Sequence, residues 1–566
     1  MAKGGKRTRR TTGQAPLSVH RRDFLKESAA AGIGGVAAAA GLAPATASAQ
    51  TARWTHEVDL VVIGAGPGGM SAAIEARKRG ASVIIVEQNF DIGGRAMMSG
   101  GNLYIGGGNR YEAATRRDFS SEKLFGDWTR TDMPMGRFSD RELARTWADS
   151  SLDLFNFFDE CGVLFKAYQP PGNKPDRLLR DGRTRLICTP WPNEKVTPAG
   201  GSGVVRPLQN MCKKLGVQFL LQHRMTEIHR EHPFTGPVLG VTAVEVDNHF
   251  QPKSRTVKIR ARKGVVVATG GSAGNVAFRT MFDVRLTEEY QAENAEWTPR
   301  NADGEIAAMA VGAALGATAC QTTQDDWIIS KGRLGKKSNG MYTNLFTTSP
   351  HFFRAGALGL TVGDWQNVIT VKENGLRFYD ETAGDIDYEY LAAALAWTGD
   401  PKKMNGGGPI WAIFDAAAVT RERWTVTPPH VDPAYFFKAD TLAELAGQLR
   451  RNEYQWRPMP GEVLVTTVER YNAFVDAGKD TDFKKPTPMH KIATPPFYAA
   501  WCTPVLTDTH TGIRINTDAQ VIDLRGQVIP RLYACGDSSG GFGLHGITRA
   551  ATFGRRAAMH AAAART

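Results

Sequence analysis

The stretch Val58-Asp59-Leu60-Val61-Val62-Ile63-Gly64-Ala65-Gly66-Pro67-Gly68-Gly69 sets a β-branched run directly against a glycine-rich turn. Such a run reads as a buried parallel strand. A helical pattern follows from Met70 to Gly80, then a second strand, Ser82 to Val86, ending at Glu87. Each piece has a physical reason. Gly64 permits the tight turn, Gly66 brings backbone against a pyrophosphate, and Gly69 allows helix and strand to pack closely. Pro67 and Gly68 complete the turn, and the following helix offers free N–H groups and partial positive charge to phosphate. Glu87, 18 residues beyond Gly69, stands where an acid accepts hydrogen bonds from ribose hydroxyls. Strand, turn, helix and acid together predict a dinucleotide site.

Working outward, Gln88 is followed by a second glycine-rich loop, Ile92-Gly93-Gly94-Arg95-Ala96-Met97-Met98-Ser99-Gly100-Gly101-Asn102. It resembles the segment that passes beside the isoalloxazine ring in flavoproteins of the glutathione-reductase-like class, which selects FAD over NAD. Two later segments fit. Gly264 to Gly271, containing Ala268-Thr269-Gly270, reads as a buried strand ending in small residues. Arg531 to Ala534 is another strand, ending at Cys535-Gly536-Asp537, and a helical run begins at Arg549. Asp537 is expected at the ribityl or pyrophosphate portion, with helix capping as its other reading. The final helix N-terminus is placed to stabilise negative charge on reduced flavin.

With these segments in order, the chain resembles the fumarate reductase / 3-ketosteroid dehydrogenase superfamily of FAD-dependent oxidoreductases over about residues 55–566. The resemblance implies an α/β fold: a Rossmann-like, glutathione-reductase-like FAD-binding domain interrupted by an α+β substrate or cap domain. The expected division is 50–324 for the first FAD part, 325–500 for the cap and 501–566 for the second FAD part. Asp303-Gly304 with a helix over Ile306–Gly316 resembles the family's D-G-x-x-M-A segment. Arg377-Phe378-Tyr379-Asp380-Glu381 resembles R-F-x-N-E inside the cap. Pro496-Phe497-Tyr498-Ala499 marks the return to the FAD domain, and Gly512-Ile513-Arg514-Ile515-Asn516 resembles the G-G-v-x-I-N strand.

The catalytic positions depart from the family. Asp385 stands where fumarate reductases place a proton-donating arginine and ketosteroid dehydrogenases a cap tyrosine. Asp508 replaces a histidine, and Gln321-Thr322-Thr323-Gln324 lacks another. His545-Gly546-Ile547-Thr548-Arg549 resembles H-G-x-N-R, which puts Arg549 where a substrate-binding arginine lies; contact with flavin O2 is its other reading. The covalent attachment histidine of succinate dehydrogenases falls near Arg95, so non-covalent FAD is expected. Candidate catalytic residues are therefore Arg549, His510, Asp508, His545 and Tyr388. The expected reaction moves hydride between flavin N5 and a C–C bond beside an activating carbonyl-type group of a small organic substrate. The alternative is an oxidase, or a hydroxy or amine dehydrogenase, reoxidised by O2. Trp327, Trp365, Trp397, Trp411, Trp424 and Trp456 suit a hydrophobic ligand and core packing equally.

Bulk properties bound the rest. The 566 residues carry a formal charge of +12, half of it within residues 1–49. Spread so thinly elsewhere, it argues against nucleic acid. Lys3 to Arg10 and Arg21-Arg22-Asp23-Phe24-Leu25-Lys26, the apolar run Ala29–Leu42 and Ala47-Ser48-Ala49 resemble a twin-arginine export signal over residues 1–49, implying a periplasmic or exported protein. No run approaches the roughly 20 apolar residues of a membrane span. Six cysteines without a C-x-x-C pair give no metal site and read as buried free thiols. The one further G-x-G-x-x-G, Gly541 to Gly546, precedes the last helical run and belongs to no second dinucleotide unit ending in an acid, so electrons are expected to pass to or from a separate carrier, a quinone or O2.

Overall fold

The computed structural model describes residues 53–111, 120–131, 136–137, 139–167, 185–316, 321–323, 333–338, 345–349, 351–383, 389–396, 406–541, 543 and 546–564. The Val58–Ile63 run extends to a strand β1 (His56–Ile63), followed by α1 (Pro67–Lys78) and β2 (Val83–Val86). Helix α1 starts three residues before the sequence pattern because Pro67, with its fixed φ, takes the first helical turn. Helix α2 (Ser202–Lys214) leads to β3 (Gln218–Leu220), a hairpin of β4 (His223–His232) and β5 (Thr235–Val246), and β6 (Pro252–Val267).

Helix α3 (Asp303–Ala310) is shorter than the Ile306–Gly316 pattern suggests. Gly312 adopts φ +101°, and the Ala313 amide donates to the Ala308 carbonyl, closing the helix. The chain then turns so that Leu315 and Gly316 pair with Ile513 and Gly512. Later elements are β7 (Gln321–Thr323), β8 (Ile369–Lys372), β9 (Ile410–Asp415), β10 (Phe436–Ala439), α4 (Gly461–Ala477), β11 (Phe497–Trp501), β12 (Leu506–Thr509), β13 (Gln520–Ile522), β14 (Val528–Ala534) and α5 (Ile547–Ala563).

Among the described residues the main sheet has eight strands, ordered β13-β14-β6-β1-β2-β3 with the β4–β5 hairpin joined to β6. Strands β14, β6, β1, β2 and β3 run parallel. Register aligns Ile63 with Val86 and Val267, and Val267 with Ala534, so four strands end level at one edge. Glycine turns, Glu87, Ala268-Thr269-Gly270 and Gly536-Asp537 all follow these carboxyl ends.

A second sheet, β8-β9-β11-β10, is antiparallel throughout. Every residue of β9 is buried. Ile410, Ala412 and Phe414 enter one apolar cluster and Trp411 and Ile413 another, which follows from the period of two along a strand. Helix α4 covers the second face with Leu464, Val468 and Tyr471. Trp411 is core, its ring 5.3 Å from Trp501 and its Nε1 donating to Gln455 Oε1 at 2.8 Å. Trp456 is exposed, and Trp327 and Trp397 lie outside the described residues. Cys161, Cys188, Cys212, Cys502 and Cys535 are buried free thiols, and burial pushes the Cys161 thiol up to about 12. No helix among the described residues is long and apolar enough to cross a membrane.

Candidate active site

A cavity opens at the carboxyl ends of β1, β2, β6 and β14, with about 1360 Å³ of empty space counting the solvent at its mouth. The first turn is held by its own chemistry. Gly64 sits at φ +106°, and a Cβ there would lie 2.2 Å from the Ala268 carbonyl oxygen. Gly69 is not on the cavity wall; a Cβ on it would meet Gly64 O at 2.0 Å, so it serves helix–strand packing. A Cβ on Gly66 meets nothing within 4 Å, because it would point into open cavity.

Of the other residues expected to touch cofactor, Pro67, Gly68, Glu87, Gln88, Gly93, Gly94, Arg95, Ser99, Gly100, Ala268, Thr269, Gly270, Asp303, Gly536 and Asp537 line the cavity. Gly101 is off the wall, packed against Gly200. Glu87 is buried and braces the turn: its Oε2 accepts the Ala65 amide at 2.7 Å and its Oε1 the Asn89 amide at 2.8 Å. Burial raises its carboxyl above the ordinary value, against those two amides. The Gly93 amide donates to the Ala65 carbonyl, fastening the second glycine loop to the first. Thr269 Oγ1 lies 2.9 Å from Ser538 Oγ, tying the β6 turn to the β14 turn.

Two helix N-termini meet this space. Helix α1 is capped by Gly66 and α5 by Gly546, neither with a side-chain hydrogen bond, and neither first turn holds an acid. Both therefore direct uncompensated N–H groups and partial positive charge at the cavity, an arrangement made for anionic groups.

The catalytic candidates separate. Arg549 is 1% exposed in the first turn of α5 and does not line the cavity. Its Nη2 donates to Gly536 O at 2.7 Å, Ser539 O at 3.1 Å and Thr509 O at 3.4 Å, with Asp537 Oδ1 at 3.5 Å. His510 is buried and follows Thr509, whose carbonyl Arg549 reaches. Asp508 lies in β12, paired with Thr322, its side chain outside the described residues. His545, Tyr388 and Asp385 are outside them altogether. No group of three or more metal-ligating side chains occurs among the described residues.

Other walls carry no motif. Thr298, Arg300 and Thr507 line the cavity. Arg300 donates from Nη2 to Glu293 O at 2.6 Å and from Nη1 to Thr507 O, which brings β12 to the site. Glu293 lies 3.5 Å from Arg95. His223, Arg224 and Met225 form a further wall at the start of β4. Spacing along the chain gives no hint of them. The signal is topological, since the His223 amide donates to the Glu87 carbonyl at 2.9 Å.

The sequence model described as FAD binding domain matches residues 59–553. The chain belongs to this family. It is an FAD-dependent oxidoreductase, and its cofactor is FAD. It is 27% identical over 547 residues to the acrylate reductase flavoprotein subunit of Shewanella woodyi, covering 94% of each chain. It is 25% identical over 606 residues to 3-oxosteroid 1-dehydrogenase of Mycobacterium tuberculosis, covering 90% of this chain and 98% of that one. Its fold is similar to the open conformation of a flavocytochrome c3 fumarate reductase, with a TM-score of 0.64 at 22% identity over 96% of this chain and 81% of that chain. The cavity fits the cofactor on its own evidence: the space at Gly66 and the two helix N-termini lacking side-chain caps suit a diphosphate and an anionic ring. Gly64 to Gly68, Glu87 and Asp537 are the groups that would hold it. FAD supplies hydride exchange at N5, and the chain supplies orientation, protons and exclusion of water.

Proposed function

We propose that this flavoprotein moves hydride between flavin N5 and a C–C bond next to an activating carbonyl-type group of a small organic substrate. The observation that carries the reading is the cavity where four level strand ends meet the first turns of α1 and α5. Relatives named for acrylate and for a 3-oxosteroid support the substrate chemistry, since both compounds carry a carbon–carbon bond beside a carbonyl. The five parallel strands support a Rossmann-like, glutathione-reductase-like arrangement, with FAD parts at 50–324 and 501–566 and a cap at 325–500.

Desaturation beside a carbonyl needs a base for the acidic proton and a group that polarises the oxygen. The resemblance assigns polarisation to Arg549, which lies behind the cavity wall against the Gly536 and Ser539 carbonyls, and we assign proton transfer to the group of His510, Asp508, His545 and Tyr388. The resemblance puts the attachment histidine of succinate dehydrogenases near Arg95, which lines the cavity and supports non-covalent binding. Residues 1–49 are a twin-arginine signal, so the enzyme works after export, passing electrons to or from a separate carrier, a quinone or O2.

Anaerobic stopped-flow tests this reading. Photoreduced holoprotein is mixed with enoates and enones, and oxidised holoprotein with saturated ketones. Return or bleaching of the oxidised flavin band with one of these classes is expected, and slowed turnover in Arg549→Ala with FAD still bound. Reaction with alcohols or amines only, coupled to peroxide release, would replace it.

A further inference from the structure

The cavity wall beside Glu87 holds two buried hydrogen-bond acceptors without a partner among the described residues. His223 is 6% exposed, and its Nδ1 lies 2.7 Å from the Leu221 carbonyl oxygen. A carbonyl oxygen only accepts, so Nδ1 carries a proton, and in the tautomer this bond selects Nε2 presents a lone pair. That Nε2 is buried without a hydrogen-bond partner, and so is Gln88 Oε1. Both residues line the cavity. Buried acceptors are rarely left unpaired in a native fold, so an unpaired acceptor on a cavity wall points to a donor on the ligand.

The donors of FAD's adenosine half are few: two ribose hydroxyls and the exocyclic amine of adenine. Glu87 stands at the end of β2 for the hydroxyls, and the His223 amide donates to the Glu87 carbonyl. One ligand group then remains for the orphan acceptors, an amine with two N–H bonds. We propose that His223, with Gln88 beside it, is the adenine-reading part of the cofactor site: Nε2 of His223 accepts from the exocyclic amine. The proposal rests on FAD occupying this cavity. It assigns His223 a role in selecting FAD over flavins that lack an amine at that position, and it adds nothing to the chemistry at N5.

Two substitutions separate the ring nitrogens. His223→Asn keeps a donor for Leu221 O and removes the acceptor at Nε2. His223→Gln keeps an acceptor near Nε2. Full-length holoprotein is equilibrated with equal excesses of FAD and a flavin dinucleotide carrying unsubstituted purine, and the bound flavins are separated and quantified. A parallel competition uses FMN. Loss of one buried hydrogen bond predicts a roughly tenfold preference of wild type for FAD over the purine analogue. His223→Asn should bring that ratio close to one, and His223→Gln should restore part of it. Retention of FMN should be the same in all three proteins. An undiminished preference in His223→Asn would overturn the proposal, as would an equal loss of FMN, which signals a damaged pocket. Wild type that takes up neither FAD nor FMN would be a different failure, that of the cofactor assignment itself.

Discussion

Glu87 and Glu381 are both buried carboxylates, one at the strand-end cavity and one beside the second sheet, and their surroundings are opposite in kind. Around Glu87 only backbone amides answer the charge, burial raises the carboxyl, and orphan acceptors and helix N-termini lacking side-chain caps face open space. Around Glu381 everything is answered. Arg377 donates to it from Nε at 2.9 Å and Nη2 at 2.7 Å and reaches Asp480 at 3.0 Å. Lys485 lies 3.3 Å away and also donates to Trp365 O and Val368 O. The Thr370 amide completes the set at 3.0 Å. Burial alone pushes the Glu381 carboxyl up, but Lys485 and Arg377 outweigh it and hold it at about 2. The contrast separates a region finished by its own side chains from one finished by a ligand. The motif Arg377–Glu381, which resembles R-F-x-N-E, forms this buried ion network.

The largest effect expected from breaking this contrast lies in the finished region. Arg377→Ala leaves Glu381 and Asp480 with one cation fewer in the interior, a loss of about 3–5 kcal/mol. Thermal or denaturant unfolding checks it. The pH dependence follows in sign. Because folding depresses the Glu381 pKa, its contribution is complete above about 4.5 and falls away as pH drops toward about 2. Glu381→Gln should flatten that acid limb of the stability curve; an unchanged limb would show that the network does not hold the charge. A smaller effect is expected at Gly69, where an alanine Cβ would strike Gly64 O at 2.0 Å. Overpacking of this kind costs about 1–3 kcal/mol, visible as a lower unfolding midpoint. Smallest is Trp456→Ala. The ring is 68% exposed, its Nε1 bonded within its own turn to Glu453 O. A change within about 0.5 kcal/mol is expected, and a loss of activity there would reopen it as a ligand contact.

What the sequence revealed follows the same division. The β1–turn–α1 unit was legible because a β-branched run, close-packed glycines and a terminal acid each leave a local mark. Besides the turn glycines Gly64 and Gly66, fifteen residues of the cavity wall are named from the sequence, some from such marks and others, such as Arg95, Ser99 and Asp303, from the family resemblance. The second sheet was not legible as strands, since β9 is buried on both faces and its alternation is hidden in unbroken apolar sequence. Helix α3 was overextended because alanine-rich sequence continues past Gly312, where the backbone turns back. His223, Arg300 and Thr507 stayed hidden because register, and not spacing, carries them to the cavity.

Gly66 and Gly69 give the most direct test, being three residues apart with different reasons to be glycine. Gly66 has φ −72° and ψ 177°, open to any residue, and a Cβ on it touches no protein atom within 4 Å. Gly66→Val should therefore unfold like flavin-stripped wild type while failing to retain FAD, giving a folded, colourless protein by absorbance at the flavin band. A Gly66→Val protein that purifies yellow, with one FAD per chain, would contradict the claim that this cavity cradles the cofactor.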